Sequence, residues 1–171
     1  SAASDVYKRQ VPIRGNVPTR VGLVDQGEVD VVILAAAGLR RLGMGDRISE
    51  VLGEDAFLPA PAQGILALQC RSDDSRVREL LAALVDADTT VRAAAERGFL
   101  VRLEASCTVP LACYATLCGD RLSVRGMVVD PSGEPCYEAS REGSREEAAE
   151  IGTALAEDLL GQGAGAILER H

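Results

Sequence analysis

Long apolar runs, recurring metal-type ligands and lysine are all scarce in this 171-residue chain. The longest apolar run, Val29 to Leu39, is broken by Asp30 and Gly38. It falls well short of the roughly 20 residues that a membrane-crossing helix needs, so no transmembrane segment is expected. The N-terminus, SAASDVYKRQ, has no basic start followed by an apolar stretch and a small-residue cleavage site. It does not read as a secretory signal, and a cytoplasmic location is the expectation. The five cysteines, Cys70, Cys107, Cys113, Cys118 and Cys136, are odd in number and lack CxxC spacing, and the single histidine is His171. That excludes a disulfide scaffold and a zinc site, so no metal is expected. Lys8 is the only lysine, and the formal charge is -8. General nucleic-acid binding requires a basic face, which this balance does not supply.

Nearly all the cationic residues are therefore arginine. Two causes fit: arginine-favouring codon usage, or recognition of carboxylates by the guanidinium fork. Composition does not choose between them. At 47% hydrophobic residues the chain can bury a core or two, with no internal repeat and no low-complexity stretch.

Residues 1–10 lack a periodic pattern and are set aside as a leader. Asn16 is placed to cap a helix with Pro18 in its first turn, running to about Gly27. Val29 to Ala36 is short, β-branched and apolar, as expected of a strand buried on both faces of a parallel sheet. Gly38 and LRRLGM follow as a turn and short helix, which makes the first part α/β. LPAPAQG, ending in Gln63 and Gly64, reads as a linker. Ile65 to Cys70 is a second short strand, and Ser75 to Val85 a helix with Val77, Leu80, Leu81 and Leu84 on one face.

Thr89 or Thr90 can cap the next helix, whose apolar positions are Val91, Ala94, Ala95, Phe99 and Leu103. Three strand-like segments follow: Thr108–Leu117, Arg121–Val129 and about Pro135–Ser140, with turns at Gly119-Asp120 and Asp130 to Gly133. Ser144 and Glu147 have capping-box spacing ahead of Ile151, Leu155 and Leu159. Gly161 or Gly163 ends that helix, and Ala164 to Arg170 forms a last one. The second half is thus α+β with a three-stranded antiparallel sheet.

Three segments can carry chemistry. In RGNVPTR, Arg14 and Arg20 flank a helix N-terminus, where exposed N–H groups also favour an anion. In ILAAAGLRRLG, Arg40 and Arg41 follow the carboxyl end of an expected strand, where α/β sheets bind ligands. In RLEASCTVP, Cys107 lies between a helix end and a strand start. A lone cysteine is more often a small buried hydrophobe, and its thiolate is the reactive form. Cys70, Cys113, Cys118 and Cys136 are read as such hydrophobes.

These segments and LPAPAQGILALQCR, in this order, resemble the porphobilinogen deaminase (hydroxymethylbilane synthase) family. GEVDVVILAAAGLRRLG, AERGFLVRLEASCTVPLACYA and the closing SREEAAEIGTALAEDLL extend the resemblance from about Ile13 to the chain's end. It implies a cytoplasmic transferase of haem and porphyrin biosynthesis that condenses four porphobilinogen molecules into a linear tetrapyrrole, losing ammonia at each step. It further implies a dipyrromethane cofactor held through a thioether at Cys107. Arg14, Arg20 and Arg41 match the family's carboxylate-binding arginines, and Gln63 a cleft-lining glutamine. The partners implied are porphobilinogen and the growing polypyrrole chain, with no nucleic acid or membrane, in a family usually monomeric.

By the same resemblance, residues 11–57 are part of domain 2, 58–87 a linker and segment returning to domain 1, and 88–171 the cofactor-anchoring domain 3. The first two domains of the family have a periplasmic-binding-protein-like architecture. The family's catalytic aspartate lies upstream of Val11, so these residues are expected to be an inactive C-terminal fragment. Two motifs depart from the pattern. Ala105, Ser106 and Thr108 surround Cys107 where the family usually has Gly-Gly and Gln, and Pro61-Ala62 replace the start of VGQG. Ala or Ser at a positive-φ position strains a loop by about 1 kcal/mol or more. A non-catalytic binding module of the periplasmic type is the alternative. It accounts for residues 11–85 but not for the cysteine loop and the α+β unit.

Overall fold

The computed structural model describes residues 9–104 and 109–170. The chain divides into two compact units, Ser1–Leu52 and Gly53–His171.

In the first unit, helix α1 (Val17–Asp25) starts as its sequence dictates. Asn16 accepts the Thr19 N–H at 2.9 Å, and proline occupies the first turn. Helix α2 (Ala36–Arg41) is followed by a 3₁₀ turn, Gly45–Arg47. Gly38 lies inside α2 rather than in a turn, and a Cβ there would sit 3.7 Å from Val17 Cγ2. Val21 and Leu39 are the buried apolar side chains of the unit among the described residues, and Arg47 pairs with Asp25 at 2.5 Å.

The strand expected at Val29–Ala36 is corrected: residues 29–35 carry no regular secondary structure and Ala36 opens α2. Val31 is 77% exposed and Ile33 63%. The Ile65–Cys70 strand is likewise absent, with Leu66 90% exposed. The only sheet among the described residues pairs three other segments. A strand exists only where a neighbour completes its ladder, so an apolar run without one stays open. Amides of Val31–Leu34 and Leu66–Leu68 are therefore expected to exchange at close to free-peptide rates, while those of the sheet and its two packed helices exchange far more slowly. Hydrogen-exchange mass spectrometry resolves the two classes, and uniform protection would contradict the unpaired segments.

The second unit holds the core. Helix α3 (Ser75–Ala82) is capped by Asp74 and buries none of its residues, so its apolar face, including Leu80, is open. Helix α4 (Ala87–Arg102) is capped by Asp86, which accepts the Thr89 N–H at 2.7 Å; neither Thr89 nor Thr90 is the cap. Those hydrogen bonds hold the Asp86 carboxyl below its ordinary pKa. Strands β1 (Leu111–Cys118), β2 (Arg121–Val129) and β3 (Cys136–Ser144) form an antiparallel meander in that order. β3 runs four residues beyond its expected end because its register with β2 continues to Ser144 opposite Arg121.

Ser144 and Glu147 form the capping box. Helix α5 (Ala148–Gln162) follows and ends at Gly163, whose φ of 114° suits glycine. A short helix, α6 (Gly165–Leu168), closes the chain. Phe99 of α4 and Leu103 just after it, Leu155 and Leu159 of α5, and Cys113, Leu122, Val124 and Val128 of the sheet make one core. Gly126 sits at its centre because a Cβ there would meet Phe99 Cε2 at 2.8 Å and Leu155 Cδ2 at 3.0 Å. Cys113 fits the buried-hydrophobe reading. Cys118 and Cys136, at strand ends, are exposed instead, and Cys70 is intermediate.

Candidate functional site

The first unit presents uncommitted cations. The side chains of Arg14, Arg40 and Arg41 are exposed and make no ion pair or hydrogen bond among the described residues. Arg20 turns its Nε back to the Gly15 carbonyl at 2.8 Å, at the N-terminal end of α1. Its terminal nitrogens make no hydrogen bond or ion pair among the described residues. Gly15, with φ of 106°, lets the chain bend into that position. Most other arginines are spoken for. Arg141 makes a two-pronged pair with Asp158 at 2.6 and 2.8 Å. Arg125 reaches Glu138 at 2.8 Å and Arg145 reaches Asp88 at 2.9 Å. Arg102 and Arg170 pair with Glu157 and Asp130. Arg9, Arg76 and Arg97 share the uncommitted state, so freedom by itself does not single out a binding residue.

The second unit holds a cleft of about 140 Å³ lined in part by Gln63, Thr89, Arg92, Glu96 and Tyr114. Gln63 is exposed at its rim, in the turn spanning residues 61–64. Ala62, just before it, has a φ of 61°, a left-handed conformation that costs a non-glycine residue about 1–2 kcal/mol. This is where the expected VGQG motif carries glycine, and the observed angle supplies the physical reason. Arg92 donates to the Thr89 hydroxyl at 3.0 Å, and Tyr114 donates to Glu54 at 3.2 Å. Burial, then the negative charge and hydrogen bond of Glu54, push the Tyr114 hydroxyl up.

Glu96 is the residue that sequence reasoning missed. It is the one charged side chain buried among the described residues, at 4% exposure. Burial raises its pKa, opposed by N–H groups from Ala62 and Ala115 and by the charge of Arg92. A signal was present: Glu96 lies three residues before Phe99 and seven before Leu103, on the buried face of α4.

Cys107, with Ala105, Ser106 and Thr108, lies outside the described residues. The flanks are described: α4 ends at Arg102, Glu104 takes a positive φ of 50°, and β1 starts at Leu111. The undescribed residues thus fall between a core-packed helix and an outer strand of the sheet.

Residues 5–79 match the family model described as porphobilinogen deaminase, dipyromethane cofactor binding domain. Residues 90–161 match the model for the porphobilinogen deaminase C-terminal domain. The first match contains Arg14, Arg20, Arg41 and Gln63; the second contains Glu96 and Cys107. The chain belongs to the porphobilinogen deaminase family, whose domains serve tetrapyrrole biosynthesis. The second match also covers the α+β unit that a periplasmic-type binding module leaves unexplained.

Proposed function

We propose that, as a member of the porphobilinogen deaminase family, this chain is the C-terminal part of a hydroxymethylbilane synthase, with domains divided at residues 11–57, 58–87 and 88–171. The whole enzyme condenses four porphobilinogen molecules with loss of ammonia, in the cytoplasm. Its catalytic aspartate is supplied by a periplasmic-binding-protein-like domain of the whole enzyme. The reading is carried by the uncommitted guanidinium groups of Arg14 and Arg41, with Arg20 engaged only through its Nε among the described residues, on the stretch that matches the cofactor-binding model.

Each pyrrole unit of porphobilinogen brings an acetate and a propionate. A polycarboxylate needs several cations that are not already neutralised, and the paired arginines of the second unit do not qualify. Guanidinium forks take carboxylates bidentately, which neutralises charge and fixes orientation together. Gln63 adds a neutral donor and acceptor at the cleft rim. Cys107 is the anchor for the dipyrromethane, which when bound supplies the primer from which the pyrrole chain grows. The residues present fit such a group: exposed guanidinium groups for its carboxylates, and a cysteine in sequence between α4 and β1.

Calorimetric titration of the chain with porphobilinogen tests the carboxylate assignment. Each of Arg14→Leu, Arg20→Leu and Arg41→Leu is expected to weaken binding about tenfold or more, the effect of losing a charge-assisted pair. Lysine replacements recover only part of it, because an ammonium lacks the fork. Arg141→Leu, whose partner is Asp158, leaves affinity unchanged. Equal losses in all four variants, or no binding by the parent chain, would reject the assignment.

A further inference from the structure

Two donors from distant parts of the chain share one buried carboxylate. Glu96 accepts the Ala115 N–H on Oε1 at 2.9 Å and the Ala62 N–H on Oε2 at 2.5 Å. Beside it, the Cys113 N–H donates to the Pro59 carbonyl at 3.0 Å. β1 is an outer strand of the sheet, and these two N–H groups leave it on the side away from β2. The linker cannot pair there as a regular strand, because Pro59 and Pro61 have no N–H to give. Glu96 reaches across from α4 and supplies the acceptor at the point where ladder pairing stops.

We propose that Glu96 is a positioning residue whose ionised carboxylate splices the linker to the free edge of β1 and so fixes the turn that carries Gln63. The role of Gln63 rests on the carboxylate-binding reading above; the splice does not. Only an ionised carboxylate offers proton-free acceptors on both oxygens. Glutamine keeps one acceptor and turns an NH₂ donor toward the second N–H, and aspartate is one methylene too short to span both. Left-handed Ala62 is the third residue of a turn that the Gln63 N–H closes on the Ala60 carbonyl at 3.2 Å, and its own N–H ties that turn to Glu96.

The groups facing Glu96 are Arg92 one turn earlier on α4, with Cys113 and Tyr114 on β1 and Glu54 behind the Tyr114 hydroxyl. Because burial raises its folded-state value, ionised Glu96 costs stability above that value, and acidification through it removes the cost. Loosening of the splice on acidification is therefore separable from unfolding.

NMR of the whole chain tests this without any ligand. The amide signals of Ala62 and Ala115 are expected to titrate with one shared midpoint above the ordinary glutamate range. Neither titration survives in Glu96→Gln, where exchange at Ala62 rises about tenfold while Phe99, Leu122 and Leu155 amides keep their protection. Separate midpoints, or unchanged exchange at Ala62, would overturn the splice. If Glu96→Gln fails to fold, the shared midpoint of the parent chain decides the matter. Porphobilinogen titration then separates the two readings. Binding that is indifferent to Glu96→Gln overturns the positioning role and leaves the function standing; a shared midpoint without any binding does the reverse.

Discussion

Gly152→Val is expected to lower the thermal transition of the second unit by roughly 15 °C or more. A Cβ at Gly152 would lie 1.9 Å from the Ala95 carbonyl oxygen and 2.9 Å from the Phe99 nitrogen. Reciprocally, a Cβ at Gly98 would lie 2.3 Å from the Ala149 carbonyl oxygen. Helices α4 and α5 thus cross backbone against backbone, each glycine seated on the other helix. Overpacking a core against side chains costs about 1–3 kcal/mol, because rotamers and small shifts absorb the clash. Here the obstructing atoms are helical backbone on both sides, so relief requires moving the helices apart and uncovering Phe99 and Leu155. The cost is about 4 kcal/mol or more, against a domain stability of order 5–15 kcal/mol. Gly161 is the matched control. It lies in α5 with nothing within 4 Å of its Cβ position. Gly161→Ala should raise stability by about 0.5–1 kcal/mol, a few degrees in Tm. Circular dichroism melts of the two variants read both outcomes, and a Gly152→Val melt within a few degrees of the parent would refute the close crossing.

The second unit was legible because its signals are local. The spacing of Val91, Ala95, Phe99 and Leu103 marks one helical face. The limits of β2 follow from turn residues on either side, and Ser144 with Glu147 marks the start of the last long helix region. The apolar runs at Val29–Ala36 in the first unit and Ile65–Cys70 in the second were not, because they state only that something buries them. Whether they become strands depends on a neighbour elsewhere in sequence, which no local pattern supplies. Asp86 against Thr89 is a smaller instance, since capping residues lie within a few positions of one another and only the bond from the Thr89 N–H to Asp86 decides. At the site, motif order nominated Arg14, Arg20, Arg41 and Gln63, and the described side chains add which guanidiniums stand uncommitted. Glu96 escaped because a glutamate among arginines reads as a solvated helix face. Its partners, Ala62 and Ala115, lie 34 and 19 residues away and leave no trace in sequence.

Cys107→Ser is expected to abolish a covalent adduct completely. In the full-length parent enzyme, expressed in a host that makes porphobilinogen, intact mass should exceed the chain mass by two porphobilinogen molecules less two ammonia. The balance follows from the anchor chemistry: the thiol sulfur bonds to the aminomethyl carbon of the first pyrrole and the free ring α-carbon of that pyrrole bonds to the aminomethyl carbon of the second, and each step breaks one C–N bond and releases one ammonia with the displaced proton. The competing thiols differ in what they can do. Cys113 is fully buried, and burial followed by the charge of Glu96 pushes its thiol far above the physiological range, so it presents no thiolate. Cys136 is also raised, by partial burial and then by Glu138. Cys118 is exposed at the tip of the β1–β2 hairpin and is the real rival. Cys118→Ser should therefore keep the full adduct while Cys107→Ser loses it. Serine at position 107 preserves size and removes the soft nucleophile, so its folding and melting should match the parent. An adduct that survives Cys107→Ser, or that disappears with Cys118→Ser alone, would move the anchor from the helix-to-strand loop to the hairpin.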